Sequence, residues 1–181
     1  MAGAVSGTLI VLAELGNSDS AWLDELRRRH YPAERNRVPA HLTLFRALPP
    51  SAEDEVRRRL SRAAAAPAPR AEMNGVLDMD SGVALRVQSQ ELDEIRERLA
   101  EEFRGLLTSQ DEGRWTPHVT IQNKAQPRAA RQFLHQMRAS FEPRALEISG
   151  LELVRYVEGA WERLARYPFR GPSLSLRSRR S

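Results

Sequence analysis

The chain has no cysteine among its 181 residues. Disulfides, thiolate nucleophiles and cysteine-ligated metals are therefore excluded together, and a reducing, cytoplasmic setting is expected. Lysine is almost as scarce: of 28 basic side chains only Lys124 is one, so contacts to anions fall to arginine. No apolar run approaches the roughly 20 residues that span a bilayer. The opening stretch MAGAVSGTLIVLAEL has no basic segment before its short apolar run, which ends at Glu14. Neither a secretory signal nor a membrane anchor is expected. Glycine-rich loops of the G-x-x-x-x-G-K-[ST] or G-x-G-x-x-G type are also missing, which leaves ATP-driven ligation and dinucleotide chemistry without support.

What remains is an ordinary globular composition, with 41% hydrophobic and 29% charged residues. The net charge of +4 is carried by the segment RGPSLSLRSRRS, where Arg170, Arg177, Arg179 and Arg180 meet no acid. Elsewhere acids and bases balance. The body is formally neutral, so the basic total does not by itself indicate a nucleic-acid groove. Residues 171–181 are expected to form a flexible basic tail.

Strands and helices alternate along the rest. A strand is expected over 6–15, followed by a helix capped by Asp19 or Ser20 and running to about Tyr31 on Trp22, Leu23 and Leu26. A strand over 41–48 is stopped by Pro49 and Pro50. Ser51 and Asp54 stand at capping-box spacing before the next helix. Two strands then flank an Asp80-Ser81-Gly82 turn. A helix over 91–107, a strand over 117–124 and a helix from Pro127 to about Ala139 follow. Strands over 144–157 and 160–169 close the chain around Glu158-Gly159. Strand, helix, strand, helix, strand thus occurs twice, over 6–79 and 82–157, and EMNGV (72–76) matches EISGL (147–151) at Glu and Gly. The reading is one α/β (α+β) domain over 1–170. It is bilobal, with two pseudo-symmetric lobes, each an antiparallel-rich sheet backed by helices, and a cleft between them.

Each repeat carries the same phrase in its middle strand, AHLTLF at 40–45 and PHVTIQ at 117–122. Strand alternation puts His41 and Thr43 on one face and Leu42 and Leu44 on the other, and likewise His118 and Thr120 against Val119 and Ile121. About a two-fold axis the two pairs face each other, and polar groups converging in a cleft mark a site. Strict alternation carries Phe45 onto the same face. Aligning GVALRVQ with GAWERLARY by their glycines matches Arg86 to Arg163 and Ala84 to Trp161. Arg86, Arg163 and Trp161 are thus candidates to grip phosphate or stack a base. Trp115 and Tyr156 are further candidates to line the pocket. His30 and His135 have no Thr partner and are read as solvent-facing. No cluster with metal-ligand spacing accompanies either motif.

The paired HLTL and HVTI segments resemble the two H-x-T/S-x signatures of the 2H (two-histidine) phosphoesterase superfamily, nearest its 2′,5′-RNA ligase-like branch. The resemblance spans about residues 5–170 and includes WTPHVTIQNK. It implies a phosphoesterase site between the lobes without metal or cofactor, acting on cyclic nucleotides or RNA ends. His41, Thr43, His118 and Thr120 would be its catalytic residues, with His41 as acid and His118 as base. Gln122 departs from the small or apolar residue of many relatives and is expected to alter pocket polarity. The residues suit the chemistry: imidazole, with a pKa near 6.5, serves as acid or base near neutral pH, and the Thr hydroxyls can donate to phosphate oxygens. The expected activity is hydrolysis of a 2′,3′-cyclic phosphate. The alternatives are ATP-independent 2′,5′ joining of RNA ends and a non-catalytic RNA-binding module. RNA ends or small cyclic nucleotides are the expected partners of a monomer with no membrane and no obligate protein partner.

Overall fold

The apolar run after Gly7 forms strand β1 (Leu9–Leu15). Its alternation sends Leu9, Val11 and Ala13 into the main core and Ile10 and Leu12 into a smaller cluster under Tyr156 and Trp161. There follow α1 (Asn17–His30), β2 (Leu42–Leu48), α2 (Glu53–Ala63), β3 (Arg70–Asp78), β4 (Val83–Gln88) and α3 (Gln90–Glu102). The short α4 (Ser109–Glu112), β5 (His118–Gln122), α5 (Pro127–Ser140) and the hairpin of β6 (Arg144–Val157) and β7 (Ala160–Pro168) complete the chain. The structure, a computed structural model, describes residues 7–172. Most of the tail expected over 171–181 lies outside the described residues. Its first residue is docked: the N–H of Arg170 donates to Ala64 at 2.8 Å and that of Gly171 to Ala66 at 3.0 Å. No helix among the described residues is long and apolar enough to cross a membrane.

Three helix boundaries differ from the sequence reading. Helix α1 starts at Asn17 with no side-chain cap, because Asp19 is committed elsewhere. Its buried carboxylate accepts the Glu147 N–H at 2.8 Å and meets Arg144 at 3.3 Å, which ties the first turn to β6. The Ser51–Asp54 capping box does not form; Pro50–Ala52 make a 3-10 turn and α2 begins at Glu53. Helix α3 is capped by Ser89, whose Oγ accepts the Leu92 N–H at 3.1 Å. It ends at Glu102, short of residue 107, and Gly105 at φ 86° carries the turn that follows.

Every strand pairing is antiparallel. The order is β1-β2-β5-β4-β3-β6-β7, and β6 also pairs with β1, so the first six strands close into a ring. Strands β2 and β5 meet at one pair, Leu42 with Val119. The third strand of each sequence repeat crosses to the other repeat: β3 pairs with β4, and β6 with β1. Gly75 stands opposite Arg86, and Gly150 stands opposite Glu14. By these pairings β4 is the counterpart of β1, not of β7, so the glycine alignment of β4 with β7 does not hold in three dimensions. Gly150 is needed for close approach, since a Cβ there would lie 2.7 Å from the Tyr167 carbonyl oxygen.

Two β-bulges decide which side chains reach the ring's polar face. In β2, Thr43 faces Leu12 but Phe45 faces Val11, leaving Leu44 as an extra residue. In β5, Thr120 faces Ala84 but Gln122 faces Val83, leaving Ile121 extra. One inserted residue reverses the in–out alternation beyond it. Phe45 therefore does not line a cleft. It is 0% exposed, packs edge-on to Phe103 at 5.4 Å and lies under the Arg96 guanidinium at 4.6 Å. Gln122 is likewise turned inward at 3% exposure, and its Oε1 finds no hydrogen-bond partner among the described residues. It cannot set pocket polarity. Replacing Phe45 with Ala is expected to cost about 3–5 kcal/mol of stability, the usual loss for an aromatic removed from a packed core. Urea denaturation checks this, and a variant as stable as the parent would return Phe45 to the surface.

Candidate active site

The two motif strands bring their polar pairs to one cavity. His41, Thr43, His118 and Thr120 all line a pocket of about 510 Å³. The Nδ1 of His41 lies 2.8 Å from the Pro39 carbonyl oxygen, and the Nδ1 of His118 lies 2.8 Å from that of Thr116. A carbonyl only accepts, so each Nδ1 carries the proton and donates it. In the neutral ring this leaves the Nε2 lone pair free for chemistry. The backbone fixes both tautomers in the same way, two residues before each histidine. Trp161 packs edge-on against His41 at 4.4 Å.

The bulges free main-chain carbonyls next to the site, and neighbouring side-chain donors take them up. Trp115 Nε1 donates to the Thr43 oxygen at 3.0 Å, and Arg96 donates to Leu44 at 3.3 Å and Asp111 at 2.7 Å. On the other motif strand Arg27 donates to the Thr120 oxygen at 2.7 Å and to Val38 at 3.1 Å. Burial pushes both guanidinium pKa values down; Tyr31 and Asp24 oppose this at Arg27, and Asp111 at Arg96. Asp111 is also buried, and its carboxylate accepts the N–H groups of Arg46 at 3.0 Å and Ala47 at 3.1 Å. It thereby holds the strand just past the first bulge. Arg46, Arg96 and Arg114 line the pocket against the single acid Asp111, so the cavity attracts anions.

Arg46 and Asn123 were not legible as site residues. Each stands five positions after its histidine, where the bulge restores the pocket-facing phase that strict alternation had given to Phe45 and Gln122. The Oδ1 of Asn123 accepts from Ser81 Oγ at 3.2 Å and the Lys124 N–H at 2.8 Å, which leaves its Nδ2 as a donor. The shared five-residue spacing was a usable signal once a bulge in each strand is allowed.

The other sequence candidates fall around this pocket. Arg163 and Trp161 line a separate cavity that touches His41, and Arg163 is paired with Glu152 at 2.6 Å. Arg86 stands opposite His118 in the β4–β5 ladder and lines a third cavity. Trp115 lines the two-histidine pocket, whereas Tyr156 packs on the small cluster of Ile10, Leu12 and Val154. His135 is exposed, but His30 is half-buried and stacks on Phe133 at 3.8 Å, contrary to the solvent-facing reading. No group of three or more His, Asp or Glu among the described residues could hold a metal ion.

An antiparallel α+β ring that brings two His-x-Thr strands to one cationic pocket has the architecture of a two-histidine phosphoesterase. The chain belongs to the 2′-5′ RNA ligase superfamily, whose family model matches residues 16–160. Membership carries an enzymatic, phosphoesterase-type activity. Among solved structures the fold is similar to TT0787 of Thermus thermophilus, with a TM-score of 0.64 and 20% identity over 91% of this chain and 98% of that one. It is also similar to E. coli LigT complexed with 3′-AMP, with a TM-score of 0.61 and 17% identity over 91% and 99% of the two chains. No curated protein sequence matches the chain significantly.

His41 is set apart electrostatically. Burial pushes its pKa from 6.5 down to about 4; the Pro39 carbonyl opposes this, and the positive charges of Arg27 and His118 add to it. The unfolded chain takes up this proton near pH 6.5, whereas the folded chain resists it to about 4. The stability contribution is therefore complete above pH 6.5 and is lost as pH falls through that window, by about 3 kcal/mol at most. Urea midpoints should fall more steeply from pH 6.5 to 4 in the parent than in His41→Asn. Parallel slopes would contradict the assignment.

Proposed function

We propose that the protein hydrolyses 2′,3′-cyclic phosphates at RNA or nucleotide ends by two-histidine acid–base catalysis, without a metal. The observation that carries this reading is the matched pair of imidazoles. Each is fixed by a backbone carbonyl at Nδ1, each has its Nε2 free, and both stand with a Thr hydroxyl in one cationic pocket. In-line displacement at phosphorus needs a proton acceptor for the nucleophile and a proton donor for the leaving group. Residues 1–170 act in this reading as one bilobal unit, each half presenting one histidine. A cysteine-free, monomeric, cytoplasmic protein suits it.

The resemblance to the superfamily assigns His118 as base and His41 as acid. His118 Nε2 takes a proton from water as the water oxygen bonds to phosphorus. The bond from phosphorus to one ribose oxygen breaks, and that oxygen takes the Nε2 proton of His41. A ribose phosphate monoester with a free neighbouring hydroxyl results, and solvent returns the proton between the rings. Thr43 and Thr120 donate to the non-bridging oxygens as their charge grows. Burial disfavours the charged form of His41, so its proton must arrive with the substrate: an adjacent phosphate anion favours imidazolium. That E. coli LigT has been solved with 3′-AMP and with phosphate supports a nucleotide phosphate as the occupant. Joining of RNA ends through a 2′,5′ bond is the same ring-opening displacement with a ribose 5′-hydroxyl replacing water as the nucleophile: its oxygen bonds to phosphorus as the bond to the 3′ oxygen breaks. The family name favours it as the second reading.

Hydrolysis of 2′,3′-cyclic AMP in EDTA is the direct test. Turnover is expected, and His41→Ala or His118→Ala should each lower it by a factor of about 10²–10⁴. A nitrophenyl phosphodiester, whose leaving group needs no proton, should largely rescue His41→Ala and leave His118→Ala inactive. Rescue of the other variant would reverse the roles, and full activity in both would end the reading. Proton NMR adds a second check: the His41 titration should move up from about 4 when inorganic phosphate binds. An unmoved titration would remove His41 as the acid.

A further inference from the structure

Two cavities flank the two-histidine pocket, and their charges differ. Beside His41, a cavity of about 290 Å³ is lined by Trp161, Arg163 and Arg166. Both guanidiniums are neutralised there, Arg163 by Glu152 and Arg166 by Glu14. Beside His118, a cavity of about 610 Å³ is lined by Arg86, Arg114 and Trp115. It shares Arg96, Arg114 and Trp115 with the two-histidine pocket, so the two adjoin. Arg86 is the register partner of His118, which puts both side chains on one face with Cβ atoms about 4.5–5.5 Å apart. Neither the Arg86 nor the Arg114 side chain makes an ion pair or hydrogen bond among the described residues. Asp93 and Glu97 line the same cavity but pair with neither, and burial together with Glu97 raises the Asp93 pKa.

We propose that this second cavity is a phosphate subsite. Arg86 and Arg114 there hold the phosphate on the 5′ side of the nucleotide whose cyclic phosphate reacts. The inference rests on the phosphodiesterase reading and narrows it: the substrate is an RNA end or a 5′-phosphorylated nucleotide rather than a bare nucleoside cyclic phosphate. Free guanidiniums are the side chains best suited to grip a phosphate, by paired charge-assisted hydrogen bonds. Trp115 stands between the two cavities with its indole fixed by the bond to Thr43, a rigid surface against which a base or ribose can pack. The His41 flank has its cations already paired and takes no second phosphate. The polynucleotide therefore runs from the reacting phosphate past His118.

Equilibrium binding tests the subsite independently of turnover. Calorimetry would compare adenosine 3′,5′-bisphosphate with adenosine 3′-phosphate on the full chain. The bisphosphate is expected to bind about tenfold tighter or more, the usual worth of one or two charge-assisted hydrogen bonds. Arg86→Gln should bring that ratio close to one, whereas Arg163→Gln should leave it in place. Equal affinity of the parent for both ligands, or a ratio that survives Arg86→Gln, would overturn the subsite. A tenfold ratio in a protein that fails to hydrolyse any cyclic phosphate would uphold the subsite and count against the phosphodiesterase reading alone.

Discussion

In each motif strand an extra residue follows directly after the threonine, and most of the site follows from where that residue goes. Leu44 and Ile121 are the insertions. Up to them, the strands alternate in the ordinary way and present His and Thr on one face. Beyond them, the phase is reversed, so Phe45 and Gln122 go inward while Arg46 and Asn123 come to the pocket. A bulge also breaks the ladder and frees carbonyls beside the site. Trp115, Arg96 and Arg27 supply the missing donors. Two of these are buried cations, which would be costly without such partners. Held in a fixed network of carbonyls, they lend the pocket positive charge at no entropic cost when an anion arrives.

The same device appears twice, yet the two halves are not chemically equal. Both imidazoles are tethered at Nδ1 to a carbonyl at 2.8 Å. His41 lies half-buried against Trp161, where its imidazolium is disfavoured. Arg86 stands beside His118, and at the corresponding point of β1 stands Glu14, tied to Arg166. A near-symmetric frame thus carries opposite charges at matching positions. That suits the proposed reaction, in which one side of the phosphorus loses a proton while the other gains one.

Much of this was written locally. The two His-x-Thr units, the alternation around them and the Glu–Gly match between repeats are short-range patterns, and they located the pocket's four central side chains. The element order was legible for the same reason, although Asp19, Ser51 and Asp54 misled as caps. Asp19 suits a cap by type, but its carboxylate is taken by β6, a contact far away in sequence. The bulges were invisible because an inserted residue is defined only by the partner strand. Strict alternation therefore puts Phe45 on the pocket face and hides Arg46 and Asn123 from it. Arg163 and Arg86 were matched by a local glycine, whereas the closed ring pairs β4 with the role of β1. Long-range register, not composition, decided each of these cases.

In the proposed reaction two bulged strands clamp one phosphorus between His41 and His118. A crystal structure with a nucleoside vanadate, whose trigonal-bipyramidal metal centre imitates the displacement at phosphorus, tests this most directly. The vanadium is expected between the two Nε2 atoms, with the Thr43 and Thr120 hydroxyls on its equatorial oxygens. Vanadate bound away from one histidine, or held with both imidazoles on the same side, would contradict it.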